Sequence, residues 1–220
     1  MATNSMKRLM IVVVIVMTTF ISCKKNTLTA NGDLGNEVVK TSRIYNTQTP
    51  LVSASEWGSV QGLFQKNNLS LSNLQVFELQ TSDGFHYVRC HQFFQGLELF
   101  TNDVVFVFDR DDNYSSLGGE LITNISIDAI IRTTMYDASS MFFRKIVQDY
   151  AYHDSLDSFR DRGFKAELGM YNLNAGIGTT QKHFVPAWKI TTANGLKYPL
   201  GYIRADSLHL IYYFNGIIIN

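Results

Sequence analysis

Apolar residues recur at helical spacing in two stretches of the chain, and each stretch begins with a capping box. The first box lies at residues 53–56, where a serine and a glutamate stand three positions apart, and it predicts a helix ending near Asn67. The second box lies at residues 134–137 and predicts a helix ending near Tyr152. Each predicted helix therefore has one apolar face to bury against another element.

Elsewhere apolar and polar positions alternate, as in strands with one buried face. The pattern predicts strands at residues 74–81, 85–94, 97–100, 104–108, 114–122, 166–171, 184–192, 198–204 and 209–214. Turn-forming residues separate these strands, and the charged stretch 153–163 is predicted to be a loop. The predicted fold class is α+β, with two tandem halves that each pack one helix on a curved antiparallel sheet.

The N-terminal segment has the pattern of an export signal. Lys7 and Arg8 precede an apolar run over residues 9–21, which is shorter than the ~20 residues that a membrane-spanning helix needs. The run leads into Phe20-Ile21-Ser22-Cys23, which resembles the lipobox of bacterial lipoproteins, where the cysteine is acylated and becomes the new N-terminus. We therefore expect a signal peptide at residues 1–22 and lipid attachment at Cys23. An ordinary signal peptide, cleaved close to this cysteine, is the alternative.

Residues 23–36 are polar and rich in turn formers, so we expect them to form a flexible tether. Their start, Lys24-Lys25-Asn26, resembles the start of mature lipoproteins of the Bacteroidetes. Acyl chains on Cys23 would hold the chain on a membrane, because each buried CH₂ contributes about 0.8 kcal/mol. The expected location is the cell envelope, at the outer membrane.

Composition narrows the classes of partner. The 220 residues include 19 basic and 19 acidic side chains, and this balance leaves no basic excess for a nucleic-acid backbone. With 2 cysteines a disulfide framework is impossible, so the 15 Phe and 11 Tyr must supply a buried core. Cys90 lies in an alternating run and is expected to be a buried strand residue rather than a reactive thiol.

The sequence lacks the spacings that common catalytic and metal sites require. Zinc hydrolases commonly carry His-Glu-x-x-His on a helix, and no such string occurs here. His86 and His91 are five residues apart in one predicted strand, so their side chains should face opposite sides. The acidic run at residues 109–113 is expected to be a solvated turn, with Ca²⁺ binding as the alternative. No nucleophile elbow or phosphate-binding glycine loop occurs either, so we expect no enzyme activity, metal or cofactor.

Residues 85–109 resemble the signature of the fungalysin/thermolysin propeptide domain, usually called FTP. That signature runs from a His-Val-Arg strand through Gln, an aromatic and a Gly turn to an apolar-x-Phe, and then to a Gly-Asp that precedes an apolar strand. The matching positions are His86, Val88, Arg89, Gln92, Phe94, Gly96, Leu99, Phe100, Asp103, Val104 and Val105. The sequence departs from the signature at Cys90, His91, Glu98 and Asn102.

The second half is similar to a PepSY domain. Residues 185–190 resemble its apolar-Ala-Trp-Lys-apolar strand, which places Trp188, and residues 202–206 resemble a strand end that places Asp206. The two resemblances imply tandem cystatin-like and PepSY-like halves. The expected division is a signal peptide at 1–22, a tether at 23–36, an FTP-like domain at 37–124 and a PepSY-like domain at 125–220.

In precursors of thermolysin-type metalloproteases these two domains form the prodomain, which assists folding of the zinc protease and inhibits it. Because the sequence reaches Asn220 without a protease domain, the resemblance implies an envelope lipoprotein whose prodomain-like module acts in trans on a zinc metallopeptidase. The alternative is a non-enzymatic envelope lipoprotein that binds a peptide, a lipid or another envelope protein.

The family-motif positions are expected to have structural roles, because polar groups on strands most often tie a sheet together and a fold motif need not be a functional site. These positions are His86, Arg89, Gln92, Gly96, Phe100, Asp103, Trp188 and Asp206.

Overall fold

A computed structural model describes residues 39–43 by their backbone and residues 49–125, 130–149, 152, 156–177, 181–193 and 197–217 in full. Every described residue lies within the unit Leu34–Asn220. The predicted signal peptide, the predicted tether and the predicted lipid attachment at Cys23 therefore lie outside the described residues. None of the described helices has both the length and the apolar composition needed to cross a membrane.

The described residues form three helices and ten strands. The helices are α1 (Ala54–Lys66), α2 (Met135–Gln148) and α3 (Leu156–Arg162). The strands are β1 (Val39–Arg43), β2 (Leu74–Ser82), β3 (Phe85–Phe94), β4 (Leu97–Leu99), β5 (Val104–Phe108), β6 (Tyr114–Gly118), β7 (Phe164–Asn172), β8 (Phe184–Thr192), β9 (Leu200–Arg204) and β10 (Leu210–Phe214).

All ten strands join one sheet, in the order β10-β9-β8-β7-β4-β3-β5-β6, with β1 beside β7 and β2 beside β3. Most neighbours are antiparallel, but β7 pairs in parallel with both β1 and β4. The predicted α+β class is confirmed. The two predicted halves share a continuous sheet, which is joined where β4 meets β7, and the division between residues 124 and 125 remains a prediction.

Each of the two longer helices packs its apolar face on one part of the sheet. In α1, Phe64 tilts against Phe106 and Phe108, with ring centroids 4.8 and 5.6 Å apart. In α2, Phe142 meets Phe164 edge to face at 5.4 Å. Burial of such a side chain contributes about 1.5–3 kcal/mol relative to leaving it exposed, so these contacts fix both helices on the sheet.

Both helices lie on the same side of the sheet. Val88 on β3 belongs to the core under α1, and Ala166 on β7 belongs to the core under α2. The odd-numbered residues of β3 and β7 therefore point to the other side. Phe93 pairs with Glu98, and Glu98 pairs with Gly169, so these odd positions share one surface across the junction. We call this surface the open face.

Several predicted elements have the expected bounds. Both capping boxes are formed, at Ser53 with Glu56 and at Thr134 with Asp137. The turns at residues 82–84 and 95–96 also separate strands as predicted. Local side-chain chemistry determines these features, which is why the sequence indicates them directly.

Other predictions were wrong, because contacts distant in sequence decide them. The stretch 153–163 was predicted to be a loop, but α3 forms within it and buries Phe159. The strand predicted to reach residue 122 ends at Gly118, and Gly119 follows at φ +87°. The helix predicted to reach Tyr152 ends at Gln148. Strand β1 was not predicted.

The strands of the first half do not all pair in the order of the chain. Strand β3 pairs along residues 86–90 with β5, whereas β4 pairs with β3 through only two residues. The short β4 instead leaves this part of the sheet to lie parallel to β7. This change of partner brings the family-motif residues after β4 against the second half.

Candidate functional site: a charged cluster at the sheet junction

Charged and polar side chains converge on the open face where β3, β4, β7, β8 and β9 lie side by side. They line a cleft of about 510 Å³. We call this group the junction cluster, and it consists of His91, Glu98, Asp103, Lys165, Glu167, Lys189 and Tyr202.

Glu98 lies at the centre of the junction cluster, and its side chain is only 4% exposed. The basic side-chain atoms nearest to it are Nδ1 of His91 at 3.8 Å and Nζ of Lys189 at 4.0 Å, both beyond hydrogen-bond distance. Burial raises the pKa of the Glu98 carboxyl, and the nearby carboxylates add to this, while Lys189 and His91 oppose it. The environment of Glu98 therefore favours its protonated form.

A second buried carboxylate, Glu167, lies on the neighbouring strand with a side chain 2% exposed. It forms an ion pair with Lys165 on the same strand and lies 3.9 Å from Nζ of Lys189. Lys189 is thus shared between the two buried carboxylates. Such an arrangement compensates part of the cost of burying charge, because an unpaired charge in this position would be strongly destabilising.

His91 lies at the edge of the cluster and connects it to the loop after β4. Its Nδ1 lies 2.8 Å from Oδ1 of Asp103, and its ring stacks on Phe77 with centroids 4.2 Å apart. These contacts hold the imidazole between the exposed carboxylate of Asp103 and the buried carboxyl of Glu98. Among the described residues, no group of three or more His, Cys, Asp or Glu side chains is arranged to hold a metal ion.

The segment 99–103, which carries the end of the FTP-like signature, fastens the first half to the second. The backbone N–H of Phe100 donates to the carbonyl of Met170 at 2.9 Å. The N–H of Asn172 donates to Oγ1 of Thr101 at 3.2 Å. The Phe100 ring lies directly over Gly169, where an added Cβ would come within 2.5 Å of it. Glycine at residue 169 is therefore what allows this aromatic ring to dock.

The docked Phe100 ring also covers part of the junction cluster. Its centroid lies 5.3 Å from that of Tyr202 and 5.4 Å from Nζ of Lys189. Burial raises the pKa of the Tyr202 hydroxyl, with nearby carboxylates adding to the shift. Phe100 thus contributes both packing and a cation–π contact to the junction.

Gln92 and Asn102 hold the segment that follows β6, and we call residues 119–125 of it the connecting segment. The Gln92 side-chain amide exchanges two hydrogen bonds with the backbone of Ile122, while Asn102 donates to Oε1 of Gln92 and to the carbonyl of Glu120. Lys182, from the second half, donates to Oδ1 of Asn102 at 2.9 Å and pairs with Glu120 at 3.0 Å. This network ties the first half, the connecting segment and the second half together.

The remaining predicted positions lie apart from the junction cluster. His86 faces the opposite side from His91, as predicted, and contacts Thr81 and Asp112. Arg89 pairs with the exposed Glu78 at 2.9 Å. Gly96 occupies a turn at φ +81°.

In the second half, Trp188 Nε1 donates to Oγ1 of Thr133 at 3.2 Å. The Arg204 guanidinium donates two hydrogen bonds to Asp206, which hold the pKa of that carboxyl below its usual range. The run at residues 109–113 forms a turn in which Asp109 accepts the N–H groups of Asp111 and Asn113.

Sequence reasoning did not identify five members of the junction cluster as candidates: Glu98, Lys165, Glu167, Lys189 and Tyr202. Two of them stand between apolar residues in the sequence: Glu98 lies between two leucines, and Glu167 lies between Ala166 and Leu168. A charged residue flanked by apolar ones in a strand normally indicates a solvent-facing position. The burial of these side chains follows from the pairing of β4 with β7, which the local pattern does not contain.

Comparison with known proteins gives one family match. Residues 78–121 match the family described as Fungalysin/Thermolysin Propeptide Motif. No curated protein matches the sequence. Among solved structures, the Bacillus megaterium YpeB C-terminal domain is similar, with 11% sequence identity, a TM-score of 0.38, and coverage of 76% of this chain and 67% of that chain. The predicted FTP resemblance is confirmed over β3–β6 and the adjoining part of β2, whereas the PepSY resemblance remains a prediction.

Proposed function

We propose that this protein is an envelope lipoprotein whose prodomain-like module binds a zinc metallopeptidase supplied by another chain and inhibits it or assists its folding. The observation that carries the proposal is the match of residues 78–121 to a protease propeptide motif. A propeptide motif is a binding and folding module rather than a catalytic one. Anchoring through Cys23 at the outer membrane is part of the same proposal.

The contacts of the motif residues indicate which of them are already engaged within the chain and so are not expected to bind a partner. Gln92, Phe100 and Asp103 are all engaged within the chain, at the connecting segment and the junction cluster. We therefore expect the peptidase to contact other residues, so that substitution of these three would affect binding only through the fold.

The proposal can be tested with the mature chain, residues 23–220, carrying Cys23→Ser so that it stays in solution. The protein is immobilised and incubated with envelope extract, and retained zinc peptidases are identified by mass spectrometry. Each peptidase is then purified, and its activity is measured against increasing amounts of the mature chain. Refolding yield of the denatured peptidase is measured with and without the chain.

Saturable inhibition near one-to-one stoichiometry, or an increase in refolding yield, would support the proposal. The Arg89→Ala variant provides a control for a motif residue that is exposed. We expect it to lower thermal stability and leave inhibition unchanged. Absence of any retained, inhibited or assisted peptidase would contradict the proposed function.

A second candidate function is the binding of a small ligand or peptide by the same non-enzymatic fold. A cavity of about 800 Å³ is lined by apolar residues such as Ile122 and Phe184 together with basic and acidic ones such as Arg132 and Asp206. Its volume lies within the range of known ligand sites. Retention of a peptide or lipid, with no peptidase, would favour this function.

A further inference from the structure

Strand β4 of the first half meets β7 of the second half through a short pairing. In the described residues, β4 and β7 pair only at Glu98 with Gly169 and at Leu99 with Met170. Phe100 adds one backbone hydrogen bond and its docked ring. Glu98 is therefore both a residue of the connecting strand and the central carboxylate of the junction cluster.

We propose that the junction is a pH-sensitive latch, in which proton uptake by Glu98 holds β4 against β7 and proton release loosens this pairing. The latch is a property of the fold and does not depend on the proposed binding of a peptidase. The effect begins above the pH at which an exposed glutamate loses its proton and ends where Glu98 is ionised in both forms.

The direction of the effect follows from where Glu98 is solvated. In the closed junction the Glu98 side chain is only 4% exposed, and its nearest basic atoms, on His91 and Lys189, lie 3.8 and 4.0 Å away, so the neutral form is favoured. Separation of β4 from β7 would expose the carboxyl to water and return its pKa to that of an exposed glutamate, about 4.3. Opening thus becomes easier as pH rises above that value, until Glu98 is ionised in both forms.

Charged groups from every neighbouring strand face Glu98, and their effects partly cancel. Lys189 and His91 favour its ionised form, while Glu167 and Asp103 disfavour it, and burial is the largest contribution. Lys165 and Tyr202 complete the set of ionisable groups that line the junction cleft, with Lys197 at its rim. Burial outweighs the opposing effects of Lys189 and His91 on the pKa of Glu98.

Hydrogen–deuterium exchange of the mature chain at a series of pH values from 4 to 8, corrected for intrinsic exchange rates, would test the latch. Peptides spanning residues 97–103 and 166–172 report the junction, and a peptide spanning 104–108 reports β5. We expect junction protection factors to fall as pH rises, by at most about tenfold per pH unit for one proton. Protection in β5 should change less.

The Glu98→Gln variant removes the titrating group while keeping its shape, and Glu78→Gln removes an exposed carboxyl from the open face as a matched control. Glu98→Gln should abolish the junction's pH dependence, and Glu78→Gln should retain it. Junction protection that is independent of pH in the wild type, or equal pH dependence in Glu98→Gln, would overturn the proposal. The wild-type measurement alone suffices if the variant does not fold.

Discussion

The side chain of Gln92 pairs with the backbone of Ile122 as a neighbouring strand would. Its Nε2 donates to the Ile122 carbonyl at 2.5 Å, and its Oε1 accepts the Ile122 N–H at 3.1 Å. Asn102 donates to the same Oε1 at 2.9 Å. A residue of the propeptide motif therefore positions the segment that leads from the first half of the sheet to the second.

Substitution of Gln92 by alanine should destabilise the fold. The change leaves the Ile122 backbone and the Asn102 amide without their partner in a largely buried place, which costs about 1–3 kcal/mol per unsatisfied group. The measurement is urea unfolding followed by circular dichroism. Gln80→Ala, at an exposed position of β2, is the matched control and should stay within about 0.5 kcal/mol. Equal stability of both variants would show that the Gln92 contacts are dispensable.

Introduction of a methyl group at residue 169 should loosen the junction. In Gly169→Ala the new Cβ would lie 2.5 Å from the Phe100 ring and 2.6 Å from the Glu98 carbonyl oxygen. Such overpacking typically costs about 1–3 kcal/mol. Thermal unfolding of the variant would measure the loss.

The matched control for Gly169→Ala is Gly62→Ala, where an added Cβ meets nothing within 4 Å on helix α1. Alanine in a helix interior is favoured over glycine by about 0.5–1 kcal/mol, so this variant should be more stable than the wild type. Combination of Gly169→Ala with Phe100→Ala should recover only part of the loss, since the backbone clash remains. Full stability of Gly169→Ala would contradict the docking of Phe100.

Cys90 should be unreactive in the folded protein. Its side chain is completely buried, and burial raises the pKa of its thiol to about 12. In the Cys23→Ser variant, Cys90 is the remaining thiol, so labelling with iodoacetamide at pH 8 reports it alone. We expect no labelling of the native protein within an hour and complete labelling in denaturant. Rapid native labelling would show that the β2–β3–β5 core opens readily.

Loss of the second capping box should weaken α2. Thr134 Oγ1 accepts the Asp137 N–H, and the Asp137 carboxylate accepts the Thr134 N–H. Thr134→Ala should cost about 1 kcal/mol of unfolding free energy. Thr123→Ala, at an exposed position outside any helix, should be near neutral. A smaller effect at residue 134 than at residue 123 would contradict the capping role.

Asp137 should also make stability depend on pH, with a sign opposite to that of Glu98. Hydrogen bonds from Thr134 lower the pKa of Asp137, so its stabilising contribution is present above about pH 3.9 and is lost as pH falls through the lowered value. Thermal unfolding between pH 2 and pH 5 should therefore be less pH-dependent in Asp137→Asn than in the wild type. An identical pH profile in the two proteins would exclude this contribution.

The candidate site shows how far sequence reasoning reaches. The residues of the propeptide motif were identified from their resemblance to a known family signature, and residues 78–121 do match that family. The junction cluster was not predicted, because Glu98, Glu167 and Lys189 come from strands far apart in sequence. Their proximity depends on which strands pair.

The amino-acid sequence by itself determined the two longer helices, most turns and the alternating strands. These features depend on interactions within a few residues, such as a serine that caps the helix beginning at Ala54 or a glycine in the turn before Phe85. Tertiary structure decided that β4 lies parallel to β7, that α3 forms and that Glu98 is buried. Strand pairing and burial are set by the whole chain folding at once, so no local pattern encodes them.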